Sequence, residues 1–337
     1  MTNPERDPQE VVCEAGHETA AADPPVQVIA HREVPLGGLR AMTVRRTLPS
    51  KERSLVGAWC FADHYGPDLV EATGGMSVAP HPHTGLQTVS WLFTGEIEHR
   101  DSGGHHAMVR PGELNLMTAG RGISHSEVST AATTELHGVQ LWVALPDGAR
   151  HDDPAFEHYA PSEVRGRGWE ARVFLGSLLG SASPVATASP LLGAELLLEP
   201  GASVRLDVDP AYEHGLLVDR GSAVLDGVDV GWAALGYTAP GRASLDLTAG
   251  PDGVRAVLLG GPPFGEQIVM WWNFVGRTHE EVVAYRQEWQ DQLVRGGELV
   301  KDSQQVAPGR FGVVVGDHLP PIPAPEMPVG VRLRSRG

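Results

Sequence analysis

Glycine and proline interrupt this chain so often that long helices cannot be its main structure. Its 337 residues include 41 glycines and 27 prolines, about a fifth of the total. Both residues favour turns and disfavour the interior of a helix. Between them lie short runs rich in β-branched and aromatic residues, for example at 86–93 and 139–145, as is typical of strands. We therefore predict an all-β fold made of many short strands.

The β-rich runs form two groups, separated by a polar stretch with many Gly and Asp residues at 146–169. From this shift in composition we predict an N-terminal domain at 26–150 and a C-terminal domain at 151–300. Residues 1–25 are acidic and poor in large apolar side chains, which predicts a disordered leader. Residues 301–337 contain the run PPIPAP, which predicts a Pro-rich extended tail.

One helix is predicted late in the chain. Thr278 and Glu281 have the spacing of a capping box, in which two side chains bond to backbone N–H groups at the start of a helix. The residues that follow at the spacing of one helix face are Val282, Tyr285 and Trp289. We predict a helix from this cap to about Leu293, with its apolar face packed against a sheet.

The charge balance limits the possible partners. The chain has 42 acidic and 26 basic residues, a formal net charge of −16. Such a surface repels phosphate backbones and anionic lipids, so we expect neither a nucleic acid nor a membrane as partner. The N-terminus lacks the basic start and apolar core of a secretory signal. Because Cys13 and Cys60 cannot make a disulfide framework, we expect a cytoplasmic protein, a monomer by default.

Histidines are concentrated in one short part of the chain, where six of the 15 lie at 81–125. His81 and His83 are two residues apart, so on a strand both imidazoles lie on the same face. His125 and Glu127 have the same spacing. If the two segments meet, three imidazole nitrogens and one carboxylate oxygen converge. That donor set suits a divalent first-row metal and leaves about two octahedral positions for water, dioxygen or substrate.

The alternative is that these histidines are ordinary core or surface residues. A single histidine is more often structural than a ligand, and one HxH motif is a weak signal. The HxE motif that follows about 40 residues later, beyond β-like segments and a Gly-rich loop, favours the metal site.

Four motifs resemble the pirin family of the cupin superfamily. In chain order they are HPHTGLQTV at 81–89, EHRDS at 98–102, RPGE at 110–113 and MTAGRGISHSE at 117–127. The resemblance covers about residues 26–290. It implies a bicupin fold, with two antiparallel, jelly-roll-like β-barrels, a few short helices and a single metal in the N-terminal barrel. The metal ligands of the family match His81, His83, His125 and Glu127.

Two positions depart from related patterns. Cupins in general carry a carboxylate ligand four residues after the second histidine, where this chain has Gln87; as in pirins, Glu127 would supply the carboxylate instead. Many pirins have Glu at the position of Gln87, so we expect an altered role beside a ligand or the substrate. In the second half, His214 has no partner at ligand spacing, so we expect no metal in the C-terminal barrel.

The resemblance implies two kinds of function. Pirins are described as iron-binding; several bacterial members cleave quercetin with dioxygen, and other members act as transcriptional cofactors through protein partners. We expect a quercetin 2,3-dioxygenase-type oxidoreductase that takes a small aromatic flavonol and O₂. Its cofactor would be one divalent metal per chain, Fe(II) in our expectation, with Ni, Cu, Mn, Co and Zn as alternatives. The alternative function is a non-catalytic, redox-responsive metal-binding regulator that acts through a protein partner.

Glu127 is the predicted catalytic residue of the dioxygenase, because a carboxylate beside the metal can accept the proton of a flavonol hydroxyl. The residues predicted to line the substrate pocket are Gln87, Trp91, Phe93, Met117, Arg121 and His137. For Arg121 two roles stay open, the orientation of an anionic substrate and a salt bridge at the surface.

Overall fold

The structure, a computed structural model, describes residues 25–36 and 42–337. The predicted disordered leader, with Cys13, therefore lies outside the described residues except for its last position. The described chain is mostly β-structure, arranged as two antiparallel β-barrels with a few short helices. This confirms the predicted all-β, bicupin fold. No helix in the described part of the chain has the length and apolar character needed to span a membrane.

The first half of the chain consists of short strands with one helical turn among them. In chain order they are β1 (Gln27–Ile29), β2 (Arg32–Leu36), β3 (Met42–Leu48), β4 (Trp59–Leu69), α1 (Val70–Thr73), β5 (Ser77–His83), β6 (Leu86–Thr94), β7 (Ile97–Asp101), β8 (His106–Val109), β9 (Leu114–Thr118), β10 (Ile123–Ser129), β11 (Glu135–Ala144) and β12 (Ala155–Tyr159).

The second half continues with a further series of strands. They are β13 (Glu163–Gly166), β14 (Trp169–Leu175), β15 (Ser177–Leu178), β16 (Ser181–Ala182), β17 (Leu192–Leu198), β18 (Ser203–Asp207), β19 (Glu213–Leu225), β20 (Val228–Val230), β21 (Leu235–Thr238) and β22 (Ser244–Gly261). The C-terminal part contains β23 (Val269–Trp271), β24 (Phe274–Gly276), α2 (His279–Leu293), β25 (Val294–Arg295), β26 (Glu298–Leu299) and a 3₁₀ helix (Ser303–Gln305).

Two sheets form the first barrel. One has the strand order β12-β9-β6-β11-β4-β3-β2, and the other has the order β5-β10-β7-β8. The second barrel is a sheet of order β1-β21-β19-β22-β17-β14-β13, with β18 paired to β22 and β20 paired to β19. Many of the turns between successive strands contain a glycine with positive φ, a conformation that other residues adopt at a cost. This explains the high glycine content.

Strand pairing crosses the boundary that the composition shift suggests. β1, from the start of the described chain, pairs with β21 of the second barrel, where Gln27 lies opposite Tyr237. β12, which follows residue 150, pairs with β9 of the first barrel, where Phe156 lies opposite Met117. The division at residues 150 and 151 stays a prediction, but each barrel takes a strand from beyond its predicted bounds.

A continuous apolar core joins the two barrels. Trp91 of β6 packs on Phe174 of β14, with ring centroids 4.5 Å apart. Trp59 of β4 donates from Nε1 to the carbonyl of Gly260 in β22, at 3.1 Å. These side chains are buried in one cluster that contains residues from both barrels. The larger sheet of the first barrel therefore has one face toward the second barrel and the other toward its own interior.

The predicted helix is present as α2, His279–Leu293. The hydroxyl of Thr278 accepts a hydrogen bond from the backbone N–H of Glu281, as the capping pattern predicts. The buried side chains of the helix include Val282, Tyr285 and Trp289. They pack against β23 and β24 and against apolar residues of the following tail.

The C-terminal tail lies against the first barrel. The backbone N–H of Ile322 donates to the carbonyl of Pro80 in β5, at 2.8 Å. The carbonyl of Ile322 accepts a hydrogen bond from Nε1 of Trp289 in α2, at 2.8 Å. Arg310 donates to the carbonyl of Arg121, in the loop that leads into β10. The end of the chain thus borders the strands that carry the histidine motifs.

Candidate metal centre

Three histidines meet inside the first barrel because β5 and β10 pair in antiparallel register. His81 lies directly opposite His125, and His83 lies opposite Ile123. The side chains of His81, His83 and His125 are fully buried, and each offers a ring nitrogen within 4.8 Å of the others. The Nε2 atoms of His83 and His125 are 3.1 Å apart. The structure therefore brings together three of the four ligands expected from the sequence.

Backbone carbonyls orient two of these rings. Nδ1 of His81 lies 2.9 Å from the carbonyl of Ala79, and Nδ1 of His83 lies 3.2 Å from the carbonyl of Asn273. Because a carbonyl only accepts, each Nδ1 carries the hydrogen and each Nε2 keeps its lone pair. Nε2 of His81 is buried and has no hydrogen-bond partner among the described residues. These side chains fit a metal, since a divalent cation needs several ring nitrogens with free lone pairs close to one another.

Burial keeps the three imidazoles neutral. It lowers the pKa of His81 to about 3 and lowers the pKa of His83 and His125 well below the usual value. Repulsion from His81 lowers the pKa of the other two further. Neutral imidazole is the form that binds divalent metals, so these rings are ready to coordinate at neutral pH without losing a proton.

Glu127 lies on the same strand, after a register shift that separates it from His125. Its side chain is buried, and its Oε1 accepts a hydrogen bond from Oγ of Ser90 at 3.1 Å. The carboxylate forms a second close group with His99 and His125, again within 4.8 Å. Glu127 thus borders the histidine cluster through His125, and the full set of four ligands stays a prediction.

Aromatic and apolar side chains surround the cluster on the barrel interior. Trp142 of β11 meets His83 edge-on, with ring centroids 5.2 Å apart, and stacks on Phe61 at 4.0 Å. Met117, a predicted pocket residue, is buried in the same apolar group. Sequence reasoning did not identify Trp142 or Phe61. In the structure, Trp142 lies two residues after Gln140, whose Oε1 is 3.0 Å from Ser90 Oγ, so both side chains lie on the same face of β11; the sequence alone does not show which face this is.

Three predicted pocket residues do not lie at the cluster. Gln87 donates to the hydroxyl of Thr118, Trp91 packs on Phe174, and Phe93 lies against the Arg255 guanidinium. All three have odd numbers in β6, whereas Ser90, an even-numbered residue of the same strand, contacts Glu127. Alternate residues of a strand point to opposite faces of the sheet. The prediction that Gln87, Trp91 and Phe93 line the pocket is therefore corrected.

His137 belongs to a different polar group, between the barrels. His137 and His64 both contact Oδ1 of Asp219, and Arg255 donates to its Oδ2. Burial alone would raise the pKa of Asp219, but the hydrogen bonds from the two histidines hold it well below its usual range. Arg255 also lies 3.2 Å from Nδ1 of His137, so that nitrogen accepts and Nε2 carries the hydrogen. Hydrogen bonds to Asp219 and Arg255 explain the position of His137 between the barrels. His137 therefore does not line the candidate metal centre.

Arg121 lies at the surface. Its guanidinium pairs with the carboxylate of Asp153, and both side chains are exposed. Of the two roles that the sequence left open, the structure therefore favours the surface salt bridge.

Comparison with known proteins adds the family context. The model of the family described as Pirin matches residues 41–143, and that of the Pirin C-terminal cupin domain matches residues 193–294. A Pseudomonas aeruginosa protein, provisionally named as a quercetin 2,3-dioxygenase, is 42% identical over 275 residues, which cover 81% of this chain and 86% of that protein. A pirin-like protein of Caulobacter vibrioides is 36% identical over 73% of this chain and 87% of its own length.

A solved structure agrees over nearly the whole chain. The crystal structure of a quercetin 2,3-dioxygenase from Acinetobacter baumannii superposes with a TM-score of 0.81 at 35% sequence identity. The match covers 91% of this chain and 97% of that one, so both barrels are shared.

Proposed function

The chain belongs to the pirin family of the cupin superfamily, and from this premise we propose that it is a metal-dependent, quercetin 2,3-dioxygenase-type enzyme that cleaves flavonols with O₂. One observation carries the proposal: three buried, neutral imidazoles inside the first barrel offer ring nitrogens that lie within 4.8 Å of one another. The names of the relatives from Pseudomonas and Acinetobacter support the substrate class.

In this proposal His81, His83, His125 and Glu127 hold one divalent metal per chain. The metal is Fe(II), with Ni, Cu, Mn, Co and Zn as alternatives, because nitrogen and oxygen donors without thiolate accept all of these ions. When bound, the metal supplies a Lewis acid that polarises the oxygen atoms of its ligands. We assign no metal to the second barrel, so the expected stoichiometry is one.

The residues of the chain perform the remaining tasks. Glu127 accepts the proton of the flavonol 3-hydroxyl, and its hydrogen bond with Ser90 holds the carboxylate in place. Trp142, Phe61 and Met117 form an apolar wall, which excludes water and offers a surface for a small aromatic substrate. Trp142 also packs against His83, so one side chain contacts both the apolar wall and the imidazoles of the proposed metal centre.

The test is quercetin consumption under air by protein of known metal content. We expect loss of quercetin absorbance with uptake of one O₂ per quercetin, abolished by a chelator and restored by a divalent metal. His81→Ala should abolish it as well. His318→Ala is the matched control, because the side chain of His318 is 72% exposed and pairs with Asp302, away from the histidine cluster. No turnover with any of the six metals would refute the enzyme and favour the metal-binding regulator with a protein partner.

A further inference from the structure

A chain of polar side chains runs from the histidine cluster to the surface of the first barrel. β7 pairs with β10 so that His99 lies opposite Glu127 and Asp101 lies opposite His125. Nδ1 of His99 is 3.4 Å from Nδ1 of His125, and Nε2 of His99 is 3.3 Å from Oδ2 of Asp101. Asp101 in turn contacts His105, whose side chain is 39% exposed. His99 and Asp101 are themselves buried.

The hydrogen positions along this chain follow from its carboxylate end. The Asp101 carboxylate only accepts, and it takes hydrogen bonds from the backbone N–H and the ring of His105. It therefore requires a hydrogen on Nε2 of His99, which leaves the lone pair of a neutral His99 on Nδ1. That lone pair accepts the hydrogen on Nδ1 of His125. The result is a His125 ring with its lone pair on Nε2, the atom that lies 3.1 Å from Nε2 of His83.

The same arrangement recurs at each of the three candidate ligands, with a different acceptor. For His81 the acceptor at Nδ1 is the carbonyl of Ala79, and for His83 it is the carbonyl of Asn273. His125 uses a side chain for this purpose. Phe156 of β12 packs against the ring of His99 at 4.9 Å, which limits rotation of that ring.

We propose that His99, held by Asp101, is a positioning residue that fixes the tautomer and the ring orientation of His125 for metal binding. The role rests on the proposed metal centre. It also accounts for the spacing of His99 and Asp101, which places both side chains on the same face of the sheet as the residues opposite them in β10, Glu127 and His125.

Co(II) binding tests this role without reference to turnover. Co(II) gives a visible spectrum that depends on the number and geometry of its ligands, and competition with a chelator gives its affinity. His99→Phe keeps a ring but removes the acceptor, whereas His99→Asn places an amide oxygen near the position of Nδ1. We expect His99→Phe to weaken Co(II) binding about 10- to 100-fold and to change the spectrum, and His99→Asn to recover most of both. His106→Phe is the control, because that histidine is 47% exposed and bonds to Glu98 instead.

Asp101→Asn provides a second variant should His99→Phe fail to fold. Its amide can donate toward His99 and reverse the required tautomer, so it should also weaken Co(II) binding and change the spectrum. Unchanged affinity and spectrum in His99→Phe or Asp101→Asn would overturn the proposal. Equal loss in His99→Phe and His99→Asn would also overturn it, in favour of His99 as a metal ligand. A wild-type protein that binds no Co(II) would instead refute the metal centre itself, and this role with it.

Discussion

Replacing Glu127 with glutamine should separate catalysis from both folding and metal binding. In the wild type, Oγ of Ser90 lies 3.1 Å from Oε1 of Glu127 and 3.0 Å from Oε1 of Gln140. One hydroxyl hydrogen cannot serve both acceptors at full strength. In Glu127→Gln the new amide can donate to Ser90, which leaves the Ser90 hydrogen for Gln140. We therefore expect the unfolding free energy to change by less than about 1 kcal/mol.

The effect on catalysis should be much larger, because the substitution changes charge. Three neutral imidazoles leave a divalent ion with its +2 charge, and Glu127 brings the centre to +1. The variant keeps +2 and loses the proton acceptor beside the ion. A general base contributes about 10²- to 10⁴-fold to a rate. We expect turnover per bound metal to fall at least about 10²-fold, with a smaller loss of metal affinity.

The assay measures quercetin turnover under air, divided by the metal content of the same sample. Glu157→Gln is the matched control, because Glu157 is exposed on β12 and the substitution changes the net charge equally. Turnover per metal that is undiminished in Glu127→Gln would remove Glu127 from the chemistry. An equal loss in Glu157→Gln would trace the effect to net charge.

Three further outcomes are expected. His81→Ala and His125→Ala should each lose most of the one metal equivalent, measured by metal analysis of protein purified without chelators, and a full equivalent in both would move the site elsewhere. Metal at about 100 times its Kd should stabilise the first barrel by about 2.7 kcal/mol, seen in hydrogen exchange as slower exchange there than in the second barrel; equal protection of both barrels would argue against a single site. Burial lowers the pKa of His214 to about 4, so the unfolded chain binds the extra proton between about pH 6.5 and pH 4 and stability falls as the pH is lowered through that window. His214 contributes about 1.4 kcal/mol per pH unit to this fall, so the slope in urea unfolding should be smaller by that amount in His214→Leu, and a variant with the same slope as the wild type would refute the assignment.

The sequence predicts well the features that depend on neighbours along the chain. His81 and His83 share a face because they are two residues apart in β5, and Thr278 caps α2 through a residue three positions later. Such relations are set by backbone geometry alone, so spacing reveals them.

Face assignment in β6 could not be predicted in this way. Its residues from Leu86 to Leu92 are all buried, because one face of the strand meets the barrel interior and the other meets the second barrel. With both faces buried, no alternation of polar and apolar residues distinguishes them. That loss of signal explains why the sequence predicts Trp91 at the pocket, whereas the side chain lies between the barrels.

Contacts made by backbone groups cannot be predicted from the residue type, because every residue has a carbonyl. The carbonyl of Asn273 orients His83, and almost any residue at that position could supply it. The pairing of β1 with the second barrel and of β12 with the first could not be predicted from residue type either. Both are short strands, and tertiary structure decides which strands they pair with.

The contact between the Asn273 carbonyl and His83 joins parts of the chain that are synthesised at different times. Asn273 is 190 residues downstream of His83, whose ring its carbonyl orients. At about 5–20 residues per second, a ribosome needs about 10–40 s to add that stretch after it has synthesised His83. During that time the nascent first barrel lacks the acceptor that directs Nε2 of this histidine. In the proposed metal centre the ring of His83 is oriented only once the C-terminal part has folded back onto β5, so we expect the complete donor set to form after Asn273 has been synthesised.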